Sequence, residues 1–157
     1  MNKKRKIVII LFVIIIALAA LVLSNKYESG ITKESNLPKV EKSLLDKFKG
    51  VHKEEIITYA QNDLNNDGKN DLLVIYKVNK NSNKMTVVVN ENNELYLTEP
   101  VPAPIEDQKI EFKDIDDKDE MEVIVSGSKN GNVGYAIYRI EDKKLVDLFG
   151  QDMESCC

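Results

Sequence analysis

The sequence predicts a mainly β fold with one amphipathic helix, preceded by a membrane-spanning segment. Three observations support this class. Residues 7–23 form an uninterrupted apolar run, residues 38–49 have helical periodicity, and the residues after them alternate between β-branched runs and polar turns. The chain has 157 residues, which suits one ordinary domain after the apolar run.

The amino-terminal segment has the order of a signal anchor. Four basic residues at positions 3–6 precede 17 consecutive apolar residues, near the lower end of the range that spans a bilayer. We expect residues 1–24 to form a cytoplasmic basic stretch and an uncleaved single-pass anchor in the cell membrane. A cleaved signal is the alternative, because Ala17, Ala19 and Ala20 offer a cleavage motif. Since positive charges stay in the cytoplasm, the rest of the chain is expected to be extracytoplasmic.

The charge balance argues against a nucleic-acid-binding protein. Beyond the four basic residues at the start, the chain carries 18 basic and 26 acidic side chains, a net charge of −8. We expect no nucleic-acid partner, because no strongly basic face is available to neutralise phosphates. The chain has a single histidine, His52, and no glycine-rich phosphate loop. No independent enzymatic activity and no catalytic residue is therefore predicted.

The extracytoplasmic part is predicted to begin with a linker and a helix. Residues 25–37 are polar without a clear period, so we interpret them as the linker. Pro38 can open a helix that runs to residue 49, and Gly50 suits its stop. The helix presents apolar residues on one side, so we expect it to cover an open face or edge of the β structure.

The remaining pattern predicts a β domain, which together with the helix occupies residues 38–150. Three prolines within residues 99–104 predict an extended connection that interrupts the strand ladder. Strands are expected at residues 56–59, 72–78, 85–89, 94–98, from 110 onward, 121–126, 134–140 and 144–149.

An internal repeat links the two halves of this domain. Residues 63–75 align without gaps with residues 114–126, at an offset of 51 positions. Each copy consists of an acidic loop, a strand, a turn, a strand, a turn and a strand. This order is similar to the blade repeats (FG-GAP-like repeats) of integrin-type propellers, and two units cannot close a ring of blades. We therefore expect two propeller-blade-like antiparallel sheets packed together, not a closed propeller.

The first acidic loop is a candidate calcium site. It has the pattern D-x-N-x-D-G-x-x-D, in which oxygens come from the side chains of Asp63, Asn65, Asp67 and Asp71 and from the carbonyl of Lys69. Calcium requires several oxygens that converge within one short loop. A strand follows and not a helix, so the loop is not an EF-hand. The alternative is a solvated Asx-type turn, because Asn, Asp and Gly favour turns without a metal.

The second acidic loop is a weaker candidate. Asp114, Asp116 and Glu122 match the first loop, but Lys118 replaces its central carboxylate and Asp119 replaces its glycine. A lysine within the site opposes binding of a divalent cation. We interpret this loop as a decayed copy that keeps its turn shape, and in either loop a metal would stabilise the structure without performing chemistry.

The only two cysteines of the chain, Cys156 and Cys157, are its last residues. A bridge between neighbouring cysteines closes almost no loop, so it adds little stability. Adjacent thiolates can instead bind a soft metal or organometal and pass it on by ligand exchange. A redox pair that exchanges with a partner protein, or two thiols without function, are the alternatives. Residues 151–157 have no strong structural period and are predicted to be a flexible tail.

The layout of the chain is similar to that of a known family. A basic start, one membrane segment, a β-rich body with a D-x-N-x-D-G loop and the terminal Cys156-Cys157 together resemble the Cys-Cys-COOH (seleno)protein family, SaoC. Some members carry selenocysteine in the terminal pair, where this chain has cysteine at both positions. The resemblance implies a selenocysteine-assisted organometal handling system, with transport components, a thioredoxin-like protein and an organomercurial-lyase-like protein as partners.

These observations predict a membrane-anchored extracytoplasmic protein whose Cys156-Cys157 pair binds or relays a soft metal or organometal. Two alternatives stay open. One is a β-repeat binding module of the cell envelope with a structural calcium loop, in which the thiols are incidental. The other is a thiol–disulfide carrier for a thioredoxin-like partner.

Overall fold

A computed structural model of the chain describes residues 39–151, the side chains of the last two excepted. This part of the chain is mainly β, with one short helix, two antiparallel sheets and no closed barrel, as the sequence predicts. No helix within it is long and apolar enough to cross a membrane. The predicted anchor, the linker and the terminal cysteines lie outside the described residues. The elements are α1 (Lys42–Val51), β1 (Ile56–Asn62), β2 (Asp71–Asn79), β3 (Ser82–Glu91), β4 (Glu94–Leu97), β5 (Val101–Ala103), β6 (Glu106–Lys113), β7 (Glu122–Lys129), β8 (Asn132–Glu141) and β9 (Lys144–Gln151).

The strands form two sheets with the same topology. The first sheet has the order β1-β2-β3-β4, with β5 also paired to β3, and the second has the order β6-β7-β8-β9. One acidic loop joins β1 to β2 and the other joins β6 to β7. The two copies of the sequence repeat therefore occupy equivalent places in two equivalent meanders, so the predicted repeat is confirmed at the level of topology.

The sheets pack face to face, and the main core lies between them. Because successive side chains of a strand point to opposite faces, alternate residues of each strand enter this core. The fully or largely buried residues of the core include Leu73, Ile75, Met85 and Val87 of the first sheet and Val123, Val125, Ala136 and Tyr138 of the second.

Helix α1 covers the opposite face of the first sheet. Leu44 and Phe48 lie one turn apart on the helix, are fully buried, and pack against Leu72, Val74 and Tyr76. The prediction that the helix covers an open face is confirmed. Its predicted bounds were too early at both ends, since the helix begins at Lys42 and ends at Val51.

Gly50 was expected to stop the helix, and this was wrong. It lies within the last turn and is absent from the glycines with positive φ, which is the conformation that a glycine stop uses. The backbone N–H of His52 donates to the carbonyl of Phe48 at 2.8 Å and so extends the last turn by one residue. The His52 ring stacks on the Phe48 ring with centroids 4.9 Å apart, which holds this turn in place.

The proline-rich connection interrupts the ladder only between β4 and β5, whereas the sequence predicts an interruption throughout residues 99–104. β5 pairs with β3 along the edge that β4 occupies further on, and Pro102 lies opposite Lys84. An edge strand tolerates proline because the missing N–H can face away from its single neighbour. At the break between β4 and β5, the Thr98 hydroxyl accepts the backbone N–H of Val87 at 3.0 Å. A side chain thus replaces a ladder bond that the bend removes.

Candidate functional site

The two acidic loops lie together at one end of the stacked sheets. In an antiparallel meander alternate connections fall at the same end, so the turns between β3 and β4 and between β8 and β9 are also there. The backbone N–H of Met121, in the second loop, donates to the carbonyl of Leu64, in the first, at 3.1 Å. The structure therefore brings both predicted loops into direct contact.

The side chains of the first loop mainly accept hydrogen bonds from the loop backbone. The Asp63 carboxylate accepts the N–H groups of Asp67 at 3.1 Å and of Gly68 at 2.8 Å. Asn65 Oδ1 lies 3.3 Å from the same Asp67 nitrogen, and Asp67 Oδ1 accepts the N–H of Lys69 at 3.0 Å. This network has the form of consecutive Asx turns, which was the metal-free alternative for the loop.

Asp71 faces inward, away from this network. Its carboxylate is fully buried and accepts the N–H of Leu64 at 3.0 Å and of Asn90 at 2.8 Å. It therefore ties both ends of the loop to the neighbouring strand β3. Asp63, Asp67 and Asp71 do not form a cluster of converging carboxylates. The Lys69 ammonium donates to Asn93 Oδ1 at 3.1 Å. A calcium ion in this loop stays a prediction.

The second loop is where three carboxylates converge. Within the described residues, one group of this kind has its ligand oxygens within 4.8 Å of one another, namely Asp114, Asp116 and Glu122. The sequence indicates that this loop is the weaker metal candidate, because a lysine within it would oppose a divalent cation. The structure contains that lysine beside the carboxylates. Lys118 Nζ lies 3.0 Å from Asp116 Oδ2, so a lysine does enter the cluster.

Arg139, on β8, is the main partner of this cluster and was missed by the sequence analysis. Its Nε donates to Glu122 Oε1 at 2.7 Å, and its Nη2 donates to both Glu122 and Asp116. The hydrogen bonds from Lys118 and Arg139 lower the pKa of the Asp116 carboxyl. Two cations of the chain itself offset two of the three negative charges of the cluster, which weakens its attraction for a metal ion. The one available signal was composition, since Arg139 is the only arginine after residue 5.

The last acidic position of each loop has the same structural role. Asp71 accepts the N–H of Leu64, and Glu122 accepts the N–H of Ile115 at 2.7 Å, in each case seven residues earlier. Asn66 and Asp117 occupy equivalent positions, and both have a φ of 55°. The second loop therefore keeps this part of the turn shape of the first, as predicted, although Asp119 does not have the positive φ of its counterpart Gly68 and the exposed side chains differ.

Protonation of Asp71 is expected to make stability depend on pH. Burial raises the pKa of Asp71 from 3.8 to about 6. Because this folded-state pKa exceeds the unfolded one, the contribution is fully present below about pH 4 and is lost as the pH rises through about 6, a change of about 2–3 kcal/mol. Replacing Asp71 by asparagine should remove that part of the pH dependence. Urea denaturation of the full chain in detergent micelles between pH 4 and 7.5 measures it.

The control for this measurement is Asp46→Asn, because Asp46 is an exposed aspartate on α1. It should leave the shape of the stability–pH curve unchanged. Parallel curves for the native chain and Asp71→Asn would contradict the role given to burial.

The predicted thiol site, Cys156 and Cys157, lies outside the described residues. β9 extends to Gln151, one residue into the predicted tail, and six residues of sequence follow. Comparisons of the chain with protein-family models, with curated proteins and with solved structures find no significant match.

Proposed function

We propose that this chain is a membrane-anchored extracytoplasmic protein whose terminal pair, Cys156 and Cys157, binds or relays a soft metal or organometal. The observation that carries the proposal is the course of β9, an edge strand of the second sheet that continues to Gln151. The six residues that follow can reach at most about 20 Å when fully extended. Chain connectivity therefore limits how far the two thiols can lie from the end of β9.

Among residues 39–151, no cluster of thiol or imidazole ligands competes for a soft ion. The sequence contains two cysteines, both terminal, and one histidine. The His52 ring lies between the rings of Phe48 and Tyr76, with centroid distances of 4.9 Å and 4.7 Å. Its Nδ1 is 3.3 Å from Glu54. The other clustered ligands are carboxylates, which prefer hard cations, so a thiophilic ion should bind at the tail.

Two adjacent thiolates suit transfer better than permanent storage. A bound ion displaces the two thiol protons, and an incoming partner thiolate can replace one cysteine sulfur at a time. Transport components, a thioredoxin-like protein and an organomercurial-lyase-like protein are the partners that the family resemblance suggests. In this proposal the β body positions the tail and takes no direct part in the exchange.

The paired sheets are consistent with a distant relationship to propeller blades. Each sheet contains a four-stranded meander with an acidic loop between its first two strands, and the two sheets stack face to face. Two such blades form an open stack. A calcium ion in the first loop, bound by Asp63, Asn65, Asp67 and the Lys69 carbonyl, would add stability to this stack without acting on the thiols.

Replacing both cysteines is expected to abolish binding of a thiophilic probe. The full chain in micelles, reduced and kept without oxygen, should bind methylmercury stoichiometrically, and Cys156→Ser/Cys157→Ser should bind none. Equilibrium dialysis with mercury analysis measures the stoichiometry. The single variants Cys156→Ser and Cys157→Ser serve as controls and should bind the probe with reduced resistance to a competing dithiol. Stoichiometric, dithiol-resistant binding by the double variant would overturn the proposal.

A binding module of the cell envelope is the second candidate. One apolar face of the second sheet is not covered by any helix or sheet of the described residues, which favours an interaction surface on the body. The same cysteine variants separate the two candidates, because a binding module should keep its partner when both thiols are removed.

A further inference from the structure

The two sheets stack in the same orientation, so the two faces of each sheet have different neighbours. We call the face that carries Leu73 and Val87 the forward face of the first sheet. The repeat alignment and the strand register place Ile124 and Ile137 on the equivalent forward face of the second sheet. The forward face of the first sheet packs against the second sheet, and the opposite face of the first sheet is covered by α1. No third layer within residues 39–151 follows the forward face of the second sheet.

Equivalent side chains of the two repeats differ in exposure, because no third layer covers the forward face of the second sheet. Leu64 is 0% exposed, because the second sheet covers it, whereas its counterpart Ile115 is 45% exposed. Leu73 and Val87 are fully buried, whereas their counterparts Ile124 and Ile137 are half-buried. The same residue positions are therefore part of a core in one repeat and part of the surface in the next.

The forward face of the second sheet has a contiguous apolar centre. Ile124, Ile137 and Phe149 lie in one row across β7, β8 and β9. The Tyr135 ring is 5.8 Å from the Phe149 ring, and Phe149 is 51% exposed. None of these side chains belongs to either buried core. A connected apolar patch of this kind is typical of an interaction surface, unlike single exposed apolar residues.

The charges around this centre alternate in sign. Lys109, Glu111 and Lys113 share the face on the edge strand β6, and Glu122 pairs with Arg139 further along it. The chain after its basic start carries a net charge of −8, so most of its surface repels another copy. The forward face of the second sheet lacks that excess of negative charge. In an antiparallel pairing of two β6 strands centred between Lys109 and Glu111, the lysine of each copy faces the glutamate of the other.

We propose that this face is covered by the same face of a second copy of the chain, in a two-fold symmetric dimer. The surface that fits a flat sheet face is another flat sheet face, as the packing of the two sheets within one chain shows. The other three sheet faces of the described residues are already covered. A second copy therefore offers this face for the contact, and an isologous pairing closes the stack at two chains.

The area of this face is small for a dimer interface, so it suits two copies that are already held close together in one membrane. Four strands of about eight residues give a footprint of about 500 Å² at usual strand spacing and rise, below the roughly 800 Å² per partner of a standard interface. Two copies in one membrane have a high effective concentration, which offsets a small interface. This last step rests on the proposed anchor, whereas the open face does not.

Photo-crosslinking in intact cells that produce the full chain tests the dimer. Tyr135 and Phe149 are each replaced by p-benzoylphenylalanine, an aromatic exchange that keeps the shape of the face. The chain also carries Cys156→Ser and Cys157→Ser, so that disulfides cannot form and failure of the thiol proposal cannot affect the result. Irradiation at either position should give a product of twice the 17.8 kDa chain mass. The control is Val78→p-benzoylphenylalanine, because Val78 is 46% exposed on β2 and lies off the face.

A second variant separates contact from folding. Ile137→Glu, at the centre of the face, should reduce the yield of the crosslink from the photoreactive residue at position 135 by at least about tenfold. Val78→Glu should leave this yield unchanged. Circular dichroism should show the native β content in both variants. A product with a different protein, an equal yield from the Val78 control, or no product from either face position would overturn the proposal.

Discussion

Replacing Glu122 by alanine is expected to lower the free energy of unfolding by about 3–5 kcal/mol, because removing one partner of a buried ion pair leaves the other charge buried without that partner. Glu122 is 1% exposed, and its two oxygens accept hydrogen bonds from Arg139 and from the backbone N–H of Ile115. The alanine variant keeps the Arg139 guanidinium buried, and only the more exposed carboxylates of Asp116 and Glu141 remain beside it. It also leaves the Ile115 N–H without its acceptor.

Urea denaturation of the full chain in micelles, followed by near-ultraviolet circular dichroism, measures this loss. Asp119→Ala is the matched control, because Asp119 is an exposed carboxylate of the same loop and its removal should change stability by less than about 0.5 kcal/mol. Glu122→Gln keeps the size and one acceptor, so it should fall between the two. If Glu122→Ala and Asp119→Ala have the same stability, the ion pair does not hold the second loop.

Replacing Phe48 by alanine is expected to lower the free energy of unfolding by about 3–5 kcal/mol, the usual range for removing a buried aromatic side chain. Phe48 is fully buried between α1 and the first sheet, with its ring 5.5 Å from the Tyr76 ring and 4.9 Å from the His52 ring. The cavity left by alanine cannot collapse easily, because the sheet beneath it is fixed by its strand ladder. The variant should also expose the first sheet to the dye ANS.

Val51→Ala is the control for this substitution, since Val51 ends the same helix but is 61% exposed. It should change the free energy of unfolding by less than about 0.5 kcal/mol. The same denaturation experiment compares the two variants. A loss below about 1 kcal/mol for Phe48→Ala would mean that the sheet face is stable without the helix, against the packing described above.

Much of the fold was predictable because its signals are local. β-branched runs and polar turns placed the strands, and helical spacing of Leu44 and Phe48 placed α1 on a sheet face. The 51-residue offset correctly predicted two equivalent meanders. The errors at Gly50 and Pro102 have a common cause. Each residue usually ends an element, but a hydrogen bond from His52 in one case and an edge position in the other overrode the local preference.

The candidate site was predictable in part. The sequence located both acidic loops and the lysine that enters the second one, Lys118. It ranked the first loop higher for a metal, whereas the converging carboxylates lie in the second. Spacing within a loop does not reveal that Asp71 turns inward to accept backbone N–H groups, because those groups belong to another strand and to the far end of the loop.

The sequence by itself determined the mainly β class of residues 39–151, the one helix among them, the repeat and the adjacency of the two cysteines, because periodicity, turn chemistry and residue order are properties of neighbouring positions. Only the tertiary structure decided that Arg139 pairs with Asp116 and Glu122 and that one face of the second sheet stays open. Both depend on which side of a strand faces which neighbour. The strands of the second sheet carry apolar side chains on both faces, and the stacking of the two repeats decides which face becomes core.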